Sequence, residues 1–181
     1  MIMNVKKSVF FIFVMLLSGF SFAQAKSTFY KQSDWKQMDV ILKKVESPKI
    51  PDKTFTITEF GAKANSNEDS RPAILNAINA AVKAGGGRVV IPAGKWLSNG
   101  PIHLQSFIDL HVAEGATLLF GAKVKDYLPA VFTRWEGTEI YGYSPMIYAN
   151  NVTDVAVTGA GTIDGNAQSE FHSWPKQQAP D

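Results

Sequence analysis

The chain has 181 residues, 45% of them hydrophobic, 12% aromatic and 19% charged, and it contains no cysteine. That is enough apolar material for one domain whose stability comes from core burial, without disulfides and without a cysteine for lipid attachment. Lys and Arg number 18 against 16 Asp and Glu, and no basic stripe runs along the chain, which argues against nucleic acid as a partner.

The first 25 residues read as a signal peptide. Lys6 and Lys7 precede a continuous apolar run from Val9 to Leu17, and small residues follow at Ser21, Ala23 and Ala25. The run is short for a membrane span, which needs about 20 residues. A secreted or periplasmic protein is therefore expected, with no membrane contact once the signal is removed. Removing Lys6 and Lys7 also balances the basic and acidic residues. Residues 26–53 read as a helix and linker. Ser33 and Asp34 cap the helical spacing of Trp35, Met38, Ile41, Leu42 and Val45, and Pro48 and Pro51 end it. This helix is expected to cover an edge.

From Thr54 onward the pattern changes. Thr54 to Thr58 alternates and predicts a strand. A polar loop over 65–70 leads to a second helix, with Asp69 or Ser70 at its N-cap and Pro72 in its first turn. Ile74, Leu75, Ile78, Ala81 and Val82 give it one apolar face, and Gly85 stops it. Such a helix suits the end of a stack of strands, where it blocks edge-to-edge association.

Next come Gly85-Gly86-Gly87, a short apolar strand Arg88-Val89-Val90-Ile91, a Pro92-Ala93-Gly94 corner, and another short strand starting at Asn99-Gly100-Pro101-Ile102. Strands this short, each ended by a sharp corner, suit a coil that turns every few residues. An ungapped self-match at an offset of 45 residues supports this. It places Ile102, Phe107, Asp109, Leu110, Val112, Thr117 and Leu118 on Ile147, Val152, Asp154, Val155, Val157, Thr162 and Ile163. Leu110 and Val155 are then expected to point inward from equivalent positions of parallel coils. Between the copies, Gly121 to Ser144 shows little alternation and reads as an insertion leaving the coil, where binding residues are often displayed.

These motifs resemble the N-terminal part of glycoside hydrolase family 28, the polygalacturonases, and the wider pectin-lyase-like β-helices. The resemblance runs from Phe55 to about Gly165. It is carried by Phe60-Gly61-Ala62-Lys63, the Gly85–Trp96 segment, Leu110-His111-Val112, Glu114-Gly115-Ala116-Thr117-Leu118 and Gly159-Ala160-Gly161-Thr162-Ile163-Asp164-Gly165. Arg134-Trp135-Glu136-Gly137, followed by Ser144-Pro145-Met146-Ile147-Tyr148-Ala149, points to the polygalacturonase branch. The loop from Asn65 to Arg71 and Leu104-Gln105-Ser106-Phe107 depart from the family pattern.

The resemblance implies a mainly β fold: a right-handed parallel β-helix over residues 54–181, with an N-terminal capping helix and further coils beyond this piece. It implies inverting hydrolysis of pectic, galacturonan-type polysaccharide or oligogalacturonide, without a cofactor. The family's signatures Asn-Thr-Asp, Asp-Asp, Gly-His-Gly and Arg-x-Lys do not occur in these residues, so no catalytic residue is assigned and the piece alone is expected to be inactive. Asp164 reads as a turn aspartate.

For substrate binding the candidates are Arg134, Trp135 and Glu136. A guanidinium grips a uronate carboxylate in a bidentate fork, an indole stacks on a sugar face, and a carboxylate accepts from sugar hydroxyls. The competing reading is an Arg134–Glu136 ion pair with Trp135 packed beneath. His103, His111 and His172 lack metal-ligand spacing, and His111 reads as a structural strand residue. Two rival functions remain open: a polysaccharide lyase or other β-helix carbohydrate-active enzyme, and a non-catalytic adhesin or spike.

Overall fold

The structure is a computed structural model that describes residues 32–168. The expected signal peptide and His172 lie outside the described residues. The chain divides into two units, residues 1–46 and 47–181. In the first, helix α1 spans Gln32–Leu42. A helix does form over the predicted spacing, but it starts at Gln32, so Ser33 and Asp34 fall within its first turn instead of capping it, and it ends at Leu42, before Val45. Among the described residues Trp35, Met38, Ile41, Leu42 and Val45 are all exposed. No described helix is long and apolar enough to cross a membrane.

The second unit begins with strand β1, Thr54–Thr56. The alternation predicts a strand to Thr58, yet a 3-10 turn over Ile57–Phe60 replaces its end. Gly61 at φ +96° closes the turn, and Ile57 swings wholly into the core. Helix α2 spans Arg71–Lys83, with Pro72 in its first turn. Ser70 occupies the N-cap without a side-chain cap bond. Asp69 does the anchoring: its Oδ1 accepts from the N–H of Arg71 at 3.0 Å and of Asn99 at 2.9 Å. The helix buries Ala73, Ile74, Ala77, Ile78 and Ala81, whereas Val82 is exposed. The small alanines let α2 lie close against β1 and β2.

Eight further strands build the stack: β2 (Gly87–Ile91), β3 (Gly94–Ser98), β4 (Ile102–His103), β5 (Ile108–Val112), β6 (Ala116–Phe120), β9 (Ile147–Tyr148), β10 (Ala156–Thr158) and β11 (Thr162–Asp164). They pair in parallel as β1-β2-β5-β10, β3-β6-β11 and β4-β9. Inward positions of successive strands stack into one core, including Val89, Ile91, Trp96, Ile102, Leu110, Leu118 and Phe120.

The self-match holds at both ends, where Ile102 pairs with Ile147, Thr117 with Thr162 and Leu118 with Ile163. It slips between them, for Leu110 pairs with Val157 and Asp109 with Ala156. Left-handed Asn151 and Asp154 lengthen the turn before β10, and the Gly159-Ala160-Gly161 corner after it is shorter to match. That corner needs glycine. A Cβ on Gly159, at φ +100°, would overlap the Val112 carbonyl of the strand below. A slip of two preserves the face of every side chain, so Val155 still packs against the core, as expected. Among the described residues the sheets form no closed solenoid. Val157 and Ile163, inward by register, stay 46% and 42% exposed.

The Gly121–Ser144 insertion does leave the stack, and it is ordered. A 3-10 turn over Val124–Tyr127 buries Tyr127, whose hydroxyl donates to the Gly121 carbonyl at 2.6 Å. Burial first, then the Asp126 charge, pushes its pKa up to about 12. Beyond it, β7 (Val131–Trp135) and β8 (Thr138–Gly142) form an antiparallel hairpin. Its turn residues Glu136 and Gly137 both have positive φ, +48° and +87°. That backbone matches the twist of the two strands.

Candidate functional site

The hairpin carries all three residues proposed from sequence. Arg134 pairs across the ladder with Glu139, Phe132 with Tyr141, Thr133 with Ile140, and Trp135 with Thr138. Alternation along a strand therefore separates Arg134 from Trp135. One face shows Phe132, Arg134, Glu139 and Tyr141, with the Phe132 and Tyr141 rings edge to face at 5.8 Å. The other shows Thr133, Trp135 and Ile140.

The ion pair of Arg134 is with Glu139 rather than Glu136: Nη2 lies 3.5 Å from Oε1, and the side chains are 67% and 62% exposed. Glu136 sits in the turn, whereas Glu139 is the cross-strand neighbour. So exposed a pair contributes about 0–1 kcal/mol and leaves the guanidinium available to a better partner. Trp135 is 68% exposed, so it is not packed beneath the pair. Beside it lies a groove of about 580 Å³, whose lining includes Leu128, Arg134, Trp135, Ile140, Tyr141 and Tyr143.

Sheet β4-β9 anchors this insertion. The Tyr148 hydroxyl donates to the Phe132 carbonyl at 2.6 Å and accepts from Asn150 Nδ2 at 2.8 Å. The His103 ring lies 5.0 Å from that of Tyr148, and its Nε2 is 2.9 Å from Ser144 Oγ. Ser144 in turn donates its N–H to the Tyr127 carbonyl at 3.0 Å. His103 is thus a positioning residue for the insertion, and sequence spacing gave no sign of it. The cross-strand partners Glu139 and Tyr141 were equally hidden; the signal for them was the Glu136-Gly137 turn.

Burial first, then the Arg71 guanidinium, holds the His103 pKa below its ordinary 6.5. The unfolded chain therefore takes up this proton more readily than the folded one, and stability rises with pH across the window just below 6.5. Chemical unfolding from pH 5 to 7 should show that rise, and His103→Phe should flatten it.

A second polar cluster lies on the outer face of β2, β5 and β10. Arg88 Nε donates to Asp109 Oδ2 at 2.7 Å, and Thr158 Oγ1 donates to Asp109 Oδ1 at 2.7 Å. With its proton so committed, Thr158 Oγ1 accepts at 2.8 Å from His111 Nδ1, which fixes that histidine's tautomer. The cluster spans three strands and satisfies the buried Asp109; it is a latch, as expected for His111. Asp164 Oδ1 accepts from the Asn166 N–H at 2.8 Å, the turn role expected of it.

The comparisons point to a pectate-lyase-like similarity over part of this stack of short parallel strands. Residues 54–117 match the family model described as rhamnogalacturonase A/epimerase, pectate lyase-like. The chain's relatives include polygalacturonases, as its motifs imply. The probable polygalacturonase of Vitis vinifera is 30% identical over 119 residues, which are 61% of this chain and 24% of that protein. The plasmin and fibronectin-binding protein A of Streptococcus pneumoniae is 31% identical over 129 residues, 71% of this chain and 17% of that protein. The crystal structure of a hyperthermoactive exopolygalacturonase from Thermotoga maritima superposes with a TM-score of 0.69 at 42% identity, over 73% of this chain and 29% of that one. The chain thus spans less than a third of the length of each of these proteins.

Proposed function

We propose that this chain forms the first coils of a right-handed parallel β-helix, with α2 as its cap, in an exported polygalacturonase-like hydrolase of pectic polysaccharide. The single observation that carries this is the match to the exopolygalacturonase at 42% identity. The parallel registers and the outward hairpin are consistent with it. In this reading the hairpin holds the polysaccharide. Arg134 exchanges Glu139 for a uronate carboxylate, Trp135 stacks on a sugar face, and Glu136 accepts from sugar hydroxyls at the turn. The two carboxylates that protonate the leaving oxygen and activate water belong to residues outside this chain. Neither Asp164, held in its turn, nor Asp109, held by Arg88 and Thr158, is free for that work.

The test is the whole protein incubated with polygalacturonate. Hydrolysis releases reducing ends with no unsaturated sugar. An unsaturated product would make the protein a lyase. No product at all would favour the non-catalytic reading, which the identity to the plasmin and fibronectin-binding protein keeps in play. The 181-residue chain alone should release none, and robust release by it would place the catalytic carboxylates here after all.

A further inference from the structure

We propose a binding site for a neutral sugar unit on the outer face of the sheet β1-β2-β5-β10, a surface that the pectic reading of the hairpin does not use. A groove of about 400 Å³ lies there, lined both by the segment 47–52 and by the strands, and its size is within the range of small-molecule sites. The strand register sets its floor, where Thr54, Arg88, Asp109 and Ala156 stand side by side on four neighbouring strands. The segment that walls it is tethered at both ends. The Lys49 N–H donates to Asp154 Oδ1 at 2.7 Å, and the Lys53 carbonyl accepts from the Arg88 N–H at 2.7 Å. Pro48 and Pro51 stiffen it further, because each fixes its own φ.

The latch described above prepares the donor. Buried Asp109 holds Arg88 by Nε alone, so the half-exposed guanidinium is fixed while its two terminal nitrogens stay uncommitted. Among the described residues those nitrogens have no acceptor, and Asp52, which lines the same groove, has no donor. A donor fork and an acceptor carboxylate thus share one groove without pairing. Neighbouring hydroxyls of a sugar bridge such a pair, one accepting from Arg88 and the next donating to Asp52. Charge narrows the class. Arg88 against Asp109 and Asp52 leaves one net negative charge, which repels a uronate, and the guanidinium in the floor repels a metal cation. A neutral sugar meets neither penalty. Ile50, Pro51 and Ala156 offer hydrocarbon to its C–H faces.

The experiment titrates methyl galactoside, methyl arabinoside and galacturonate into the whole protein by calorimetry, with melting temperatures recorded for every variant. At least one neutral glycoside should saturate. Asp52→Ala should weaken it about three- to tenfold, the worth of one net hydrogen bond, and leave melting in place because Asp52 is exposed and unpaired. Arg88→Lys keeps a positive charge beside Asp109 but removes the fork, and should weaken the glycoside likewise. Galacturonate, which the pectic reading sends to the hairpin, should be untouched by either variant. No saturable glycoside binding would overturn the proposal. So would glycoside binding that Asp52→Ala leaves intact, since the sugar would then be held elsewhere. Variants that weaken galacturonate as much as the glycoside would overturn the neutral class. The two readings fail separately: galacturonate without binding tells against the hairpin, and glycosides without binding tell against the groove.

Discussion

Leu110→Ala should destabilise the chain by about 3–5 kcal/mol, seen as a lower urea midpoint at unchanged slope. Leu110 is wholly buried on β5, in register with Val89 on one side and Val157 on the other. Truncation leaves a cavity on β5, whose own backbone is fixed by ladders to β2 and β10 on its two sides, so the site collapses poorly. A domain's total stability is about 5–15 kcal/mol, so a large fraction disappears. Val157→Ala offers the contrast: same column, but 46% exposed, so its loss should cost well under half as much. Equal losses at the two positions would mean that the column is not stacked as the register has it.

Arg134→Ala in the whole protein should lower kcat/KM on polygalacturonate by about 2–5 kcal/mol, if the pair with the uronate forms in a desolvated complex. Arg134→Lys should restore only part, because an ammonium cannot reproduce the bidentate fork. Melting should hardly move. The resident pair with Glu139 is open to solvent on both sides and contributes at most about 1 kcal/mol. Kinetics and melting on the same variants separate the roles. A large fall in melting temperature with unchanged kinetics on the folded fraction would make Arg134 structural.

The parts of the fold legible in the sequence are those fixed by local chemistry. Pro72 and Gly85 bracket α2, and the Gly85–Gly94 segment delimits β2, because these residues restrict backbone dihedrals wherever they stand. The face of each strand was legible too, since side-chain period two survives a slip of two. The pairing itself was not. An ungapped match sets Leu110 on Val155, whereas the turn at Asn151 and Asp154 moves the partner to Val157. Asn and Asp take a left-handed backbone more readily than other non-glycine residues, but they are equally common in ordinary turns, so their presence does not announce the extra length.

The hairpin escaped for a different reason. Neither of its faces is fully buried, for the side with Val131, Thr133 and Ile140 is only half-buried, so nothing imposed a strong apolar alternation on Val131–Gly142, and only Glu136-Gly137 hinted at the turn. Without that register, Arg134 looked like a partner of Glu136 and a neighbour of Trp135. In the structure it answers to Glu139 and turns its back on Trp135.

The most direct test of the account is a backbone NMR titration of the full chain with oligogalacturonide. If the hairpin is where pectic polysaccharide lands, saturable shifts should concentrate in β7, β8 and their turn, with the buried strands β2 and β5 silent, and Arg134→Ala should weaken the titration of the free acid. Shifts confined to other surfaces, or a saturable titration that Arg134→Ala leaves untouched, would contradict it.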